Sequence, residues 1–93
     1  MRTEDKKYID NLKKEIIKKL DKHNCKATVG LHLSREIIII DMTITPKKHS
    51  PLMRAKYTYH DCFAMPADYS YGVATVHASI IVNQMFDTMK EFI

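Results

Sequence analysis

Two neighbouring segments of alternating apolar and polar residues constrain the fold more than any other feature of the sequence. Residues 26–33 carry an apolar side chain at every second position, and residues 36–45 repeat this alternation over a longer stretch. In a β-strand such alternation puts the apolar side chains on one face. Only Ser34-Arg35 separates the two segments, so we predict a hairpin, and the β-branched second strand is predicted to be central in a sheet.

An amphipathic helix is predicted on each side of the hairpin. Apolar residues recur three and four positions apart from Thr3 to about Lys22, and again from residue 79 onward, which is the spacing of a helix with one buried face. The first stripe consists of Ile9, Leu12, Ile16 and Leu20, and the second of Ile81, Met85, Met89 and Phe92.

The segment between the hairpin and the last helix is harder to interpret. Two prolines surround a basic tip at residues 46–51, which predicts a loop. A third strand is predicted at residues 52–60, with Tyr57 and Tyr59 facing the core, followed by a loop at residues 61–71. Residues 71–77 are rich in β-branched side chains and favour a short fourth strand, although they are also compatible with a helix capped by Asp68 or Ser70.

These elements predict an α+β fold. The 93 residues are enough for one hydrophobic core, so we expect a single domain over residues 1–93. Its order is α-β-β-β-(β)-α, with a mostly antiparallel sheet and both helices packed on one face of that sheet.

Composition indicates a soluble protein of the cytoplasm. The longest apolar run, Ile37-Ile38-Ile39-Ile40, is far shorter than the roughly 18 residues that cross a bilayer. The charged start of the chain does not have the form of a secretory signal, and two cysteines are too few for a disulfide framework. We expect no membrane association and no cofactor. Abundant lysine and isoleucine with scarce glycine are typical of a low-GC genome, such as that of a phage or mobile element.

Positive charge is concentrated in the first two thirds of the chain. Residues 1–60 hold 14 Lys/Arg against 7 Asp/Glu, a balance of +7, whereas residues 61–93 hold 1 against 4, a balance of −3. Most lysines of the first helix have acidic neighbours one turn away and indicate a solvated surface. The others predict a cationic strip beside exposed isoleucines on the outer sheet face, and this partner-binding strip comprises Lys47, Lys48, His49, Arg54, Lys56, Ile37 and Ile39.

A repeated His-x-Cys pattern is the only hint of metal chemistry. His23 and Cys25 follow the first helix, and His60 and Cys62 follow the third strand. Two imidazoles and two thiolates would complete a tetrahedral zinc site, but neither pair has the ligand spacing of established structural sites. Packed thiols and surface histidines are the favoured interpretation, and we predict no metal and no catalytic residue.

The order α-β-β-β-α is similar to that of double-stranded-RNA-binding domains. Those domains carry a lysine cluster at the start of the last helix, where this chain reads Ala78-Ser79-Ile80-Ile81 and has no positive charge before Lys90. The resemblance therefore concerns topology alone.

Three functional hypotheses follow. The first is a small non-enzymatic protein-binding module, such as a phage or mobile-element inhibitor that occludes a nucleic-acid-handling enzyme, for example a nuclease. The second is a nucleic-acid-binding domain that uses the basic loop and sheet face. The third is a small metal-binding or enzymatic domain built on the two His-x-Cys pairs. A homodimer is expected because the outer sheet face is partly apolar.

Overall fold

Five elements form one α+β unit with the order α-β-β-β-α. The computed structural model describes residues 3–47 and 55–90, apart from the side chain of residue 90. Its elements are α1 (Thr3–Lys22), β1 (Cys25–Ser34), β2 (Ile37–Pro46), β3 (Tyr57–Ala64) and α2 (Tyr71–Lys90). Within the described ranges, no helix has the length and apolar character needed to cross a membrane.

The three strands form an antiparallel sheet in the order β1-β2-β3. β2 lies between its two partners, as its isoleucine-rich sequence predicts. Residue Met42 faces Val29 on one side and Tyr59 on the other, and the same register continues along the sheet. One face of the sheet is therefore apolar along all three strands, apart from Asp61 of β3.

Both helices pack on that apolar face and close a single core. α1 contributes Tyr8, Leu12, Ile16 and Leu20, each fully buried, as the three- and four-residue spacing requires. The sheet contributes Ile38, Ile40, Met42 and Ile44, and α2 contributes Ala74, Ala78, Ile81 and Met85. Tyr57 and Tyr59 face this core, so their predicted packing role is confirmed.

A two-residue turn joins β1 to β2. Arg35 and Glu36 have φ values of 48° and 66°, the left-handed conformation that a two-residue hairpin turn of type I′ requires. Neither residue is the glycine or asparagine that usually adopts it, and each costs about 1–2 kcal/mol in this conformation. Pairing along β1 and β2 must therefore supply the energy that holds the turn.

The predicted fourth strand is wrong, because residues 71–77 form the beginning of α2. The Ser70 hydroxyl oxygen accepts a hydrogen bond from the Val73 amide at 3.3 Å, and the Asp68 carboxylate accepts one from the Ser70 amide at 2.9 Å. Ser70 thus caps the helix, and the capping alternative outweighs the strand propensity of the β-branched residues.

The third strand also lies further along the chain than the sequence predicts. β3 is Tyr57–Ala64, so residues 61–64 belong to the sheet and not to a loop, and residues 55–56 precede the strand. Residues 52–54 of the predicted strand lie outside the described residues. The carboxylate of Asp61 interrupts the apolar alternation, but its oxygens accept hydrogen bonds from the Tyr59 hydroxyl at 2.6 Å and from the Cys62 amide at 2.7 Å. These bonds let an aspartate occupy a strand position.

Candidate binding surfaces

The sheet face opposite the helices is left uncovered by every described element, and we call it the open face. Strand alternation and the cross-strand register assign fourteen residues to it. They are Lys26, Thr28, Gly30, His32 and Ser34 from β1, Ile37, Ile39, Asp41, Thr43 and Thr45 from β2, and Thr58, His60, Cys62 and Ala64 from β3.

The open face is poor in charge and carries two exposed isoleucines. Lys26 and Asp41 are its only residues with a full charge when histidine is neutral. Ile37 and Ile39 keep 45% and 44% of their surface exposed. By contrast, the first helix presents seven lysines to its surroundings. A flat face that combines exposed isoleucine with few charges has the composition of an interface core.

A carboxylate–histidine pair, which is an ion pair only when the imidazole is protonated, lies near the middle of the open face. The Asp41 carboxylate oxygen is 3.1 Å from the Nδ1 atom of His60, directly across from it on the neighbouring strand. Both side chains are mostly exposed, so the pair contributes little to stability.

The two His-x-Cys pairs do not meet. Cys25 lies opposite Pro46 in the sheet, whereas Cys62 lies opposite Ile39, seven residues away along β2 and therefore about 23 Å distant. Cys25 is buried, and the ring of His23 packs against Phe86 at 5.1 Å between centroids. Within residues 3–47 and 55–90, no three His, Cys, Asp or Glu side chains form a group that could hold a metal ion.

The predicted cationic strip is divided between two ends of the sheet. Lys47 and Lys56 lie at the end where β2 finishes and β3 begins, whereas Ile37 and Ile39 lie at the other end of β2. The amide of Lys47 donates to the Asn24 carbonyl at 2.8 Å, which continues the pairing of β1 and β2 by one residue. Three further members of the strip, Lys48, His49 and Arg54, lie outside the described residues.

A groove between α1 and the start of β1 brings two helix lysines that the sequence indicates as solvated surface, Lys14 and Lys18, next to Lys26 and Lys47. We call it the lysine groove; its volume is about 460 Å³. Lys47 forms an ion pair with Asp21 at this groove. The lining residues are Lys14, Ile17, Lys18 and Asp21 from α1, Cys25, Lys26 and Ala27 from β1, and Lys47. In the sequence, the four-residue spacing of Lys14 and Lys18 places these two lysines on the same side of α1. It does not reveal that Lys26 and Lys47 lie across the groove from them.

No protein-family model, curated protein or solved structure matches the chain. The chain shares its element order with double-stranded-RNA-binding domains, but the observed start of α2 does not carry the lysine cluster of those domains. α2 begins Tyr71-Gly72-Val73-Ala74, which includes no lysine. Function is therefore argued from the two surfaces themselves.

Polar contacts on the other side of the sheet hold the two helices together. Glu15 of α1 is buried and accepts hydrogen bonds from the Tyr71 hydroxyl at 2.9 Å and the Thr75 hydroxyl at 3.0 Å. These two donors lower the pKa of Glu15, so it remains a carboxylate. The bond to Glu15 in turn raises the pKa of Tyr71.

A second buried contact joins the helices nearer the start of α1. The Tyr8 hydroxyl is 2.8 Å from Nδ1 of His77 and donates to it when the imidazole carries its proton on Nε2. Burial raises the pKa of Tyr8 to about 12 and lowers the pKa of His77, so both side chains are neutral at pH 7. The rings of Tyr69 and Phe63 pack around this pair. These helix contacts fix the scaffold on which the open face is presented.

Proposed function

We propose that the protein is a non-enzymatic binding module that docks its open face onto a protein partner. The observation that carries this proposal is the composition of that face, in which two of fourteen residues are charged and two isoleucines are nearly half exposed. Interface cores are depleted in lysine, glutamate and aspartate in the same way. Threonine, isoleucine and small residues on a flat sheet favour close contact with another protein surface.

The dimensions of the open face suit the core of an interface of ordinary size. A strand of ten residues such as β2 is about 33 Å long, and three strands are about 14 Å wide. The face therefore presents on the order of 450 Å² in projection. Standard interfaces bury about 800 Å² on each partner, so the remaining area would come from side-chain relief and from the rim.

We propose inhibition by occlusion as the mode of action, because docking of a rigid face requires no chemical step. An enzyme that handles nucleic acid is the partner class we favour. Support comes from the charge distribution, since Lys26 and Lys56 lie at one end of the charge-poor face and would face the anionic substrate path of such an enzyme.

The proposal is tested by a matched pair of double variants. Ile37→Lys with Ile39→Lys places two charges on the open face. Val76→Lys with Ile80→Lys places the same charges on the outer side of α2, where the native side chains are 60% and 48% exposed. All four positions are exposed enough for lysine to be tolerated without loss of the fold.

Each tagged protein is incubated with nuclease-treated lysate of the organism that encodes it. We expect the wild type and the α2 variant to capture one stoichiometric protein, and the open-face variant to lose it. Capture that survives on the open-face variant but not on the α2 variant would move the docking site to α2. Sedimentation analysis of the purified wild type provides the second arm: a dimer dissociated only by the open-face variant would identify a second copy of this chain as the occupant of that face.

A further inference from the structure

The lysine groove lies beside the open face and is built from three separate elements. Lys14 and Lys18 are one turn apart on α1, which sets their Cβ atoms about 5–6 Å apart. Lys26 on β1 and Lys47 after β2 also line the groove. The sequence separation of these residues shows that the fold, and not a local run of lysines, brings the four lysines to one groove.

The lining of the groove has a strong excess of positive charge. Four lysines line it together with one carboxylate, Asp21, which already pairs with Lys47. Like charges brought together destabilise a fold unless counterions or a ligand neutralise them. Ile17, which is 38% exposed, adds an apolar contact beside the charges.

We infer that the lysine groove binds the phosphodiester backbone of a single-stranded nucleic acid. A phosphodiester chain carries one negative charge on every residue, so it can neutralise several clustered ammonium groups at once, which a peptide achieves only as an unbroken acidic run. Recognition through phosphates alone predicts little preference for base sequence.

This site is distinct from the docking face of the proposed function and does not depend on it. Lys26 is the one residue that both surfaces share. A partner docked on the open face would therefore lie next to any strand held in the groove. The two proposals can be disproved independently. The groove is tested by binding of an oligonucleotide to the purified protein, whereas the open face is tested by capture of a protein from nuclease-treated lysate.

The experiment measures fluorescence anisotropy of labelled oligothymidylate and oligouridylate with purified full-length protein. Neutralising three to four phosphates of a single strand gives a slope of log K against log salt of about −2 to −3. Lys14→Glu with Lys18→Glu should weaken binding by about tenfold or more at low salt and reduce the magnitude of that slope by about 1–2. Lys14→Arg with Lys18→Arg keeps both charges and should retain the affinity.

The matched control is Lys6→Glu with Lys7→Glu, which makes the same charge change on the same helix but away from the groove. Circular dichroism establishes that all variants are folded. Retained affinity in this control supports the groove, and the ratio of the two oligonucleotide affinities assigns the natural strand to DNA or RNA. Equal losses in control and groove variants, no binding by the wild type at about 50 mM salt, or tighter binding of polyglutamate than of either strand would overturn the inference.

Discussion

Neighbouring isoleucines of β2 differ sharply in solvent exposure, depending on which side of the sheet they occupy. Ile38 and Ile40 are 0% and 1% exposed, whereas Ile37 and Ile39 between and beside them keep 45% and 44% of their surface in contact with solvent. The four side chains have the same chemistry, so their different environments come only from strand alternation and from the side on which the helices pack. The covered side therefore determines stability, and the open face is available for recognition.

Polar groups also differ in burial between the helix-covered side of the sheet and the open face. On the covered side, Glu15 and Tyr8 each form a buried hydrogen bond to the opposite helix. On the open face, the ion pair of Asp41 and His60 is largely exposed. A buried polar group that loses its partner bears a desolvation cost, whereas an exposed one exchanges its partner for water. The comparison thus predicts large stability effects on one side of the sheet and small ones on the other.

The largest effect is expected from shortening an isoleucine on the covered side. Ile40→Ala should lower the free energy of unfolding by about 2–5 kcal/mol, because it removes buried methyl groups and leaves a cavity. Ile39→Ala, one residue away, should change it by less than about 0.5 kcal/mol. Urea denaturation of both variants measures the difference. Equal losses in the two variants would show that the open face is covered in solution.

Removal of the hydroxyl that joins the helices should have the next largest effect. Tyr8→Phe should cost about 1–2 kcal/mol, since it leaves the Nδ1 atom of His77 without its donor while the ring of residue 8 stays in place. The same urea experiment applies. Tyr71→Phe is a useful comparison, because Tyr71 is exposed and Glu15 keeps its bond to Thr75. A larger loss in Tyr71→Phe than in Tyr8→Phe would contradict this order.

A pH dependence should arise from the same buried pair. Burial holds the pKa of folded His77 below the ordinary value of 6.5, so the unfolded chain takes up a proton first as the pH falls. Stability from this group is fully present above pH 6.5 and decreases as the pH falls towards the folded pKa. The lowered pKa of Glu15 adds a further loss that begins only below about pH 4.5. Unfolding curves of wild type and His77→Gln between pH 7 and 5 should diverge, the variant being less sensitive to pH; parallel curves would exclude His77 as the cause.

The smallest effect on stability is expected at the open-face ion pair. Asp41→Asn should change the free energy of unfolding by less than about 0.5 kcal/mol, and added salt should diminish that change. If the open face is the docking surface, the same substitution should weaken partner capture although the fold is intact. A stability loss above about 1 kcal/mol would mean that the two sides of the sheet are less different than their exposure indicates.

Much of the fold could be predicted because its patterns are local. α1 matches its predicted limits, β1 extends one residue beyond its prediction at each end, and β2 begins and ends one residue later than predicted, since strict periodicity leaves few alternatives. α2 was misjudged because the β-branched residues near its start favour strands, whereas the Ser70 cap and the contact of Thr75 with Glu15 select a helix. Tertiary contacts of this kind overrule propensity and cannot be read from one segment.

The candidate surfaces were predictable only in part. Alternation assigned Ile37 and Ile39 to the outer face, where the structure places them. Alternation could not show that the Lys47 side chain contacts α1, because that contact is its ion pair with Asp21. The lysine groove was missed for the same reason, since its walls come from parts of the chain that only folding brings together.

The turn between β1 and β2 does not by itself set the register in which the two strands pair. Arg35 and Glu36 adopt a conformation that their residue types disfavour, so the turn gives little guidance to strand pairing. A slip of β2 by one residue would exchange Ile38 and Ile40 for Ile37 and Ile39 in the core, a substitution of isoleucine for isoleucine. The same slip would bury Asp41 and the threonines Thr43 and Thr45 in place of Met42 and Ile44. The polar half of β2 therefore makes the shifted register unfavourable and so selects the correct one. The isoleucine run is hydrophobic on both faces and does not distinguish the two registers.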